Sequence, residues 1–280
     1  MRSARLLARF SLTDTCHLDE ARAALARAYA PPTLELVGRN RPFRAIVNGY
    51  RLRHSAMNFG WYSAELRMDF PDCEFAAQVF AVAGTCEART KGVSGTIDST
   101  SGIVISPGEA LTVTNCSDCA RLILRLEPLA LANKLTAITG QSCHLPLKLN
   151  PRHDSTLPRA KALREHFLFL VDTVGESAVP LPQPAIDEFE ETLLVMFLHA
   201  NRHNYSHLLE GAPAESASWQ VRRAEEFIAA HAGRAISLEE LAEIAGVSVR
   251  SLFRSFRKMR GYTPLEFLAQ MRSGWGKPSH

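Results

Sequence analysis

The sequence predicts an α+β protein in which a β-barrel or sandwich is followed by helices and then by a C-terminal, all-α helix-turn-helix domain. Three observations carry this. Residues 34–126 hold short β-rich runs set apart by Gly and Asp/Asn/Ser clusters. Residues 128–211 carry apolar side chains at helical spacing. Residues 236–268, ISLEELAEIAGVSVRSLFRSFRKMRGYTPLEFL, have the caps and glycines of short helices joined by tight turns. A chain of 280 residues suggests two domains, and a 46% hydrophobic composition is that of an ordinary globular protein.

In chain order, residues 18–29 form a short helix with Asp19, Glu20 and Arg22 on its polar side, ended by Pro31 and Pro32. Strands are expected at 43–47, 57–66, 75–82, 103–105, 111–113 and 122–126, with turn clusters at 91–95, 98–102 and 106–108. On the early strands, Arg53, His54, Asn58, Trp61 and Tyr62 group polar and aromatic side chains that could stack on an aromatic ring and pair with a carboxylate. At a period of two they cannot all face inward. Either they bind a ligand, or Trp61 is core and Arg53 is solvated. The six cysteines are sparse and are expected to be thiols, with Cys116 and Cys119 flanking a turn between strands, since no second pair completes a zinc site.

Helices are expected at 129–139, ended by Gly140, and at 157–174, ended by Gly175. After a proline-rich loop at 180–184, a third runs over 186–201. Its apolar residues Ile186, Phe189, Leu193, Val195, Met196 and Phe197 make a stripe too broad for one layer of contacts, so part of it is expected to meet a partner subunit. His199, His203 and His207 would line up on a continuous helix as possible metal ligands, but Asn201, Asn204 and Ser206 suggest that the helix frays there. Residues 210–218, EGAPAESAS, look like a polar linker.

The last stretch is the most specific. Ser237 and Glu240 form a capping box, Leu238, Leu241, Ala242 and Ala245 lie on one buried face, and Gly246 stops the helix. Ser248 starts the next helix, 249–260, which buries Leu252 and Phe256. It carries Arg250, Arg254, Arg257, Lys258 and Arg260 and no acid. Gly261 ends it, and Thr263, Pro264 and Glu266 start a third. Two helices joined so tightly match a helix-turn-helix, whose second helix enters the major groove of double-stranded DNA.

The run through Ser237, Ala242, Gly246, Ser248, Leu252, Phe256, Gly261 and Pro264 resembles the first helix-turn-helix of the AraC/XylS transcription regulators, and the likeness extends to the preceding helix, 220–231. The resemblance implies that Arg250, Phe253 and Arg254 contact base edges and that Ser248, Ser251, Arg257 and Lys258 lie near phosphates. Phe253 could touch a thymine methyl or be core. More loosely, the run from Ile103 to Gly108 and the segment around Asp118 and Cys119 resemble the family's N-terminal cupin-like barrel, which binds an effector. By the same resemblance, helices after the barrel pair two copies into a homodimer. An activator of a catabolic operon responding to an aromatic carboxylate such as a benzoate-like acid would fit its branches.

A cupin-like barrel also raises the alternative of a metal enzyme or metal sensor. Such a site needs imidazoles and a carboxylate converging inside the barrel, and no histidine lies between His54 and His144. The expectation is therefore no catalysis, no metal and no cofactor. From Trp219 onward there are ten Lys/Arg and six Asp/Glu, which leaves 22 and 23 before it, so the basic charge is in the tail. No segment has the apolar length of a membrane span, and a cytoplasmic location is expected. The expected division is 1–128 effector domain, 129–209 dimerisation helices, 210–218 linker and 219–280 partial DNA-binding domain. Two glycines and a proline within 272–280 are expected to stop the last helix. That would make the chain a truncated regulator lacking a second helix-turn-helix, or a natural single-unit form.

Overall fold

The computed structural model describes residues 6–38, 42–141, 143, 146–176, 181–209, 213–231 and 233–275, with side chains for all but 213–218, 258, 270 and 273–275. They form two compact units, Met1–Leu131 with Leu145–Asn204, and Ala132–His144 with Tyr205–His280.

The first unit is a sandwich of two antiparallel sheets. Its strands are β1 (Ser11–Thr15), β2 (Thr33–Leu36), β3 (Ala45–Arg51), β4 (Ser55–Tyr62), β5 (Leu66–Cys73), β6 (Ala76–Ala83), β7 (Cys86–Thr90), β8 (Val93–Ile97), β9 (Ser101–Ile105), β10 (Glu109–Asn115), β11 (Cys119–Leu126) and β12 (Arg152–Asp154). The larger sheet has the order β1-β3-β4-β11-β6-β9-β12 and the smaller β2-β5-β10-β7-β8. β11 is central, paired along its length with β4 on one side and β6 on the other. Seven of its eight residues are buried, which is why CARLILRL reads as an almost continuous apolar run. Between the sheets lie Val47, Tyr62, Val79, Ile105 and Ile123 from the larger and Leu66, Met68, Phe70 and Val113 from the smaller.

Several strand expectations need correction. The single strand at 57–66 is two, because residues 63–65 carry the chain from β4 in one sheet to β5 in the other. β1, β2, β7, β8 and β12 were not expected. β7 alternates small buried residues, Cys86, Ala88 and Thr90, with exposed Glu87 and Arg89, so its buried face is weakly apolar. The break at 91–95 is tighter than its composition suggests. Lys91 and Gly92 take left-handed backbone and make the turn, and β8 begins at Val93. The turn between Cys116 and Cys119 is as expected and passes from β10 to β11, hence from one sheet to the other.

Helices α1 (Leu18–Ala28), α2 (Pro128–Thr139), α3 (Pro158–Glu176) and α4 (Gln183–Ala200) fall close to their expected positions, although α3 passes through Gly175 rather than stopping before it. α4 buries Ile186, Leu193, Leu194, Phe197 and Leu198, together with a carboxylate the sequence had not singled out, Glu190. Its oxygen Oε1 accepts from the His54 backbone N–H at 2.9 Å and from Ser55 Oγ at 2.6 Å. The helix ends at Ala200, so the three histidines form no stripe. His203 is buried and donates from Nε2 to the Leu198 carbonyl at 3.2 Å, while His207 belongs to a separate short helix, α5 (Ser206–Leu209). Beside the end of α4, Gln78, His153 and Asn201 close a buried hydrogen-bonded ring with distances of 2.7–2.9 Å. Burial foremost holds the His153 imidazole below its usual pKa, which suits a neutral ring that donates from one nitrogen and accepts at the other.

The second unit contains α6 (Pro213–His231), α7 (Leu238–Ala245), α8 (Val249–Arg260) and α9 (Pro264–Trp275). Its core is Val221, Ala224, Ile228, Leu241, Ala245, Leu252, Phe256 and Leu268. Two boundaries differ from the sequence reading. Residues 213–218, expected as linker, are the first turns of α6, and 210–212 lie outside the described residues. α9 continues through Gly274 to Trp275, because one glycine in a helix costs only about 1 kcal/mol and does not forbid it. Residues 276–280 lie outside the described residues. Among the described residues no helix is long and apolar enough to cross a membrane.

Candidate functional site

Two regions hold the side chains that the sequence singled out. The first is the turn from α7 to α8. Ser237 Oγ accepts the Glu240 N–H at 3.0 Å, and the Ser237 backbone N–H in turn faces the Glu240 carboxylate, as in a capping box. That carboxylate is held chiefly by the Arg234 guanidinium, which keeps its pKa below the usual carboxylate range. Gly246 ends α7 with φ 65° and ψ 34°, where side chains are disfavoured, and its N–H and that of Val247 close the helix end on Glu243 and Ala242. Gly246 is also boxed in, since a Cβ there would lie 2.5 Å from the Ala137 Cβ. Ser248 Oγ then accepts the Ser251 N–H at 3.3 Å and starts α8. The third start is a full capping box, with Thr263 N–H to Glu266 Oε2 at 2.6 Å and Glu266 N–H to Thr263 Oγ1 at 3.2 Å.

α8 buries Leu252 and Phe256 and leaves Arg250, Arg254 and Arg257 exposed. At i, i+4 and i+7 these three share one face. Among the described residues Arg250 and Arg254 have neither a hydrogen bond nor an ion pair. Ser251 and Phe253 are half-buried at the edge of that face, and Phe253 is not among the residues packed on the core. The Lys258 side chain lies outside those described. Arg260, counted with the basic set in the sequence, is committed elsewhere. It makes a two-pronged ion pair to Glu225 of α6 at 2.9 Å for both bonds, and Tyr262 donates to the same carboxylate at 2.8 Å. At about 1.5 Å rise per residue, the 12 residues of α8 span about 18 Å, enough to cross a major groove about 12 Å wide.

The second region is the interior of the sandwich. Inward-facing positions of β11 carry two arginines that the sequence reading did not select, Arg121 and Arg125. Arg121 is 4% exposed, its Nε has no partner, its Nη2 lies 3.6 Å from the Met68 sulfur, and its guanidinium borders the Tyr62 hydroxyl and the Cys86 thiol. The guanidinium lies 5.5 Å from the Tyr62 ring centre. No carboxylate pairs with it among the described residues. Its potential anion is the Cys86 thiol, which a hydrogen bond with Cys119 and the nearby Arg121 pull down to about 7, while that same bond and burial push Cys119 up. Arg125 lies over the Phe75 ring, 3.9 Å from its centre, and donates from Nη1 to the Ala28 carbonyl. Its Nε is buried without a partner, and burial foremost lowers its pKa.

Two cavities adjoin these groups. One of about 40 Å³ is lined by Arg121, Tyr62, Tyr29 and apolar side chains. The other, about 180 Å³, is lined by Arg125, Asn58, His54, Phe75 and Glu127 among others. The expected ligand set is therefore divided. Asn58 and His54 face the larger cavity and Tyr62 the smaller, and Tyr62 and Asn58 share a face of β4 by alternation. Arg53 is exposed in the turn between β3 and β4, and Trp61 is half-buried on the opposite face from Tyr62, and neither lines either of these two cavities. His54 Nδ1 lies 3.2 Å from Glu127 Oε2. A signal for the missed pair was available, because two arginines four apart on a strand share a face, and that strand is otherwise apolar. Among the described residues no group of three or more His, Cys, Asp or Glu is placed to hold a metal ion.

The chain is 26% identical over 219 residues to the XylDLEGF operon transcriptional activator 3 of Pseudomonas putida; the match covers 74% of this chain and spans about 60% of that relative's length. Among solved structures it resembles the AraC-like transcriptional activator CuxR with a TM-score of 0.53 at 13% identity, over 95% of this chain and 94% of that one, which shows a shared fold. The family model of the AraC-binding-like domain matches residues 21–199, well over half of the chain. This chain, a cupin-like sandwich of two antiparallel sheets followed by helices, therefore belongs to the family of AraC-type transcription regulators.

Proposed function

We propose that α8 is the DNA-reading helix of this regulator and that the sandwich binds the effector to which it responds. The observation that carries the first part is the exposed, unpaired pair Arg250 and Arg254 on a helix fixed by Ser248 and Gly246. An arginine free of protein partners can offer its planar fork to guanine O6 and N7, and Arg257, Lys258, Ser248 and Ser251 are the neighbours for phosphates. Phe253, half-exposed, is assigned to a thymine methyl rather than to core. In this reading the protein activates a catabolic operon in the cytoplasm and responds to an aromatic acid. It works as a homodimer, its copies meeting over the half-exposed Phe169 and Phe189 of α3 and α4, whose rings lie 5.3 Å apart. The effector acts by binding one arrangement of the DNA-reading parts more tightly than another.

The test is a titration of Arg254→Ala against the chain's own upstream promoter and a scrambled duplex. The variant should lose about 1–3 kcal/mol on the promoter and blunt discrimination at one base pair. Equal losses on both duplexes would reduce Arg254 to a phosphate contact and sink the base-reading role.

A further inference from the structure

We propose that the 180 Å³ cavity of the sandwich is a site for a small organic acid that also carries a hydroxyl or amino group, with Arg125 taking the carboxylate and Asn58 the second group. This rests on the effector reading above and names the chemistry that reading leaves open.

Size comes first. An apolar cavity of about 150 Å³ holds a benzene, so 180 Å³ accepts a six-membered ring with small substituents, whereas the 40 Å³ cavity beside Arg121 has room for little more than water. Charge comes second. The cavity is lined by Arg27, Arg51 and Arg125, against one carboxylate, Glu127. Glu127 already faces Arg51 at 3.6 Å and His54 at 3.2 Å, which leaves Arg125 without an anion. The third point is the pair of buried atoms without partners. Arg125 Nε is a donor lacking an acceptor, and Asn58 Oδ1 is an acceptor lacking a donor. Unmet buried groups of this kind are costly, and a ligand toward which the two side chains turn, presenting one acceptor and one donor, removes both costs at once.

The strands set the spacing. Ile123 pairs with Asn58 across β11 and β4, and Arg125 is two residues further along on the same face. Such diagonal neighbours are about 7–8 Å apart, a gap that a ring bearing both substituents spans. Leu12, Phe75 and Leu126 supply the apolar wall for the body of the ring.

Calorimetric titration of the full chain with 3-hydroxybenzoate, benzoate and 3-hydroxybenzamide tests the assignment. The expected order of affinity is hydroxybenzoate, then benzoate, then the uncharged amide. Arg125→Met should weaken both acids by about tenfold or more and leave the amide within about twofold, because a hydrogen bond to a charged group is lost only where the ligand is charged. Asn58→Leu should weaken hydroxybenzoate by about fivefold and spare benzoate. Gly49→Ala is an independent probe. Its Cβ would come within 2.5 Å of Asn58 Nδ2 and 3.2 Å of Leu12, both of which line the cavity, and would displace them, so all three ligands should weaken. Should Arg125→Met fail to fold, Arg125→Lys keeps the charge without the fork and should weaken the acids alone. Absence of binding by both acids, or equal weakening of acid and amide by either Arg125 variant, overturns the proposal. The promoter titration on the same preparation separates that outcome from failure of the regulator reading, since loss of acid binding with promoter selectivity retained condemns this site and not the function.

Discussion

The helical unit closes on eight apolar side chains, Val221 to Leu268, and settles its polar groups at helix ends through Ser237, Ser248, Thr263 and Glu266. The sandwich closes instead around Arg121, Arg125, Asn58 and Asn115, each with a buried atom that has no partner. Those unmet groups cost the sandwich stability, whereas the exposed cations of α8 stand in water at almost no cost. The difference teaches where each unit keeps its chemistry. One keeps unmet polar groups in its interior and carries their cost, and the other keeps its cations on its surface and can be packed for stability alone.

Substitutions can break or sharpen that contrast. The largest effect should come from Phe256→Ala, which empties the centre of the helical core and should lower its stability by about 3–5 kcal/mol in urea unfolding, with the sandwich unaffected. A loss below about 1 kcal/mol would mean that this core is not close-packed. Arg121→Met should act in the opposite direction. At pH 6, where the Cys86 thiol is protonated, replacing a buried charge without an anion by an apolar side chain should be neutral or stabilising, by up to about 4 kcal/mol. Marked destabilisation would show that the guanidinium has a structural partner.

A smaller effect is expected from pH. The Cys86 pKa is depressed from 9.0 to about 7 in the folded protein, so its contribution is absent below pH 7, grows between 7 and 9 and is complete above 9. Across that window the sandwich should gain about 2 kcal/mol, a gain that Cys86→Ala abolishes and that Arg121→Met reduces. Above pH 9 the trend should reverse, because Cys119 keeps its proton in the folded state while an unfolded chain gives it up. Unfolding midpoints that do not change with pH would exclude a folded-state thiolate. Smallest of all is Arg254→Ala, exposed and unpaired, which should move the unfolding midpoint by less than about 0.5 kcal/mol despite its expected cost in DNA affinity.

The same contrast explains what could be read from the sequence. Caps and helix-ending glycines act within a few residues of themselves, so Ser237, Gly246, Ser248, Gly261 and Thr263 marked the helical unit almost to the residue. The ends of that region are less legible, because at 213–218 and 272–275 a linker-like composition and a glycine do not interrupt a helix already under way. In the sandwich the decisive facts are not local. That Arg125 faces a cavity depends on β11 lying between β4 and β6, and that Arg53 does not depends on where a turn falls. Glu190 is a further case. A carboxylate on an apolar helix face has no meaning until the His54 backbone, 136 residues away in sequence, is beside it.

Gly246 and Gly261 end successive helices with the same left-handed backbone, yet they differ in what surrounds them. A side chain at 261 would meet nothing within 4 Å, so only its backbone preference counts, and asparagine, which tolerates that conformation, should be accepted. At 246 backbone and neighbour act together, since the Ala137 Cβ stands 2.5 Å from where any Cβ would go. In a library with every amino acid at each position, 246 should therefore return glycine alone while 261 returns a small vocabulary. Two glycines that are interchangeable letters in the sequence would then carry unequal amounts of information about the fold.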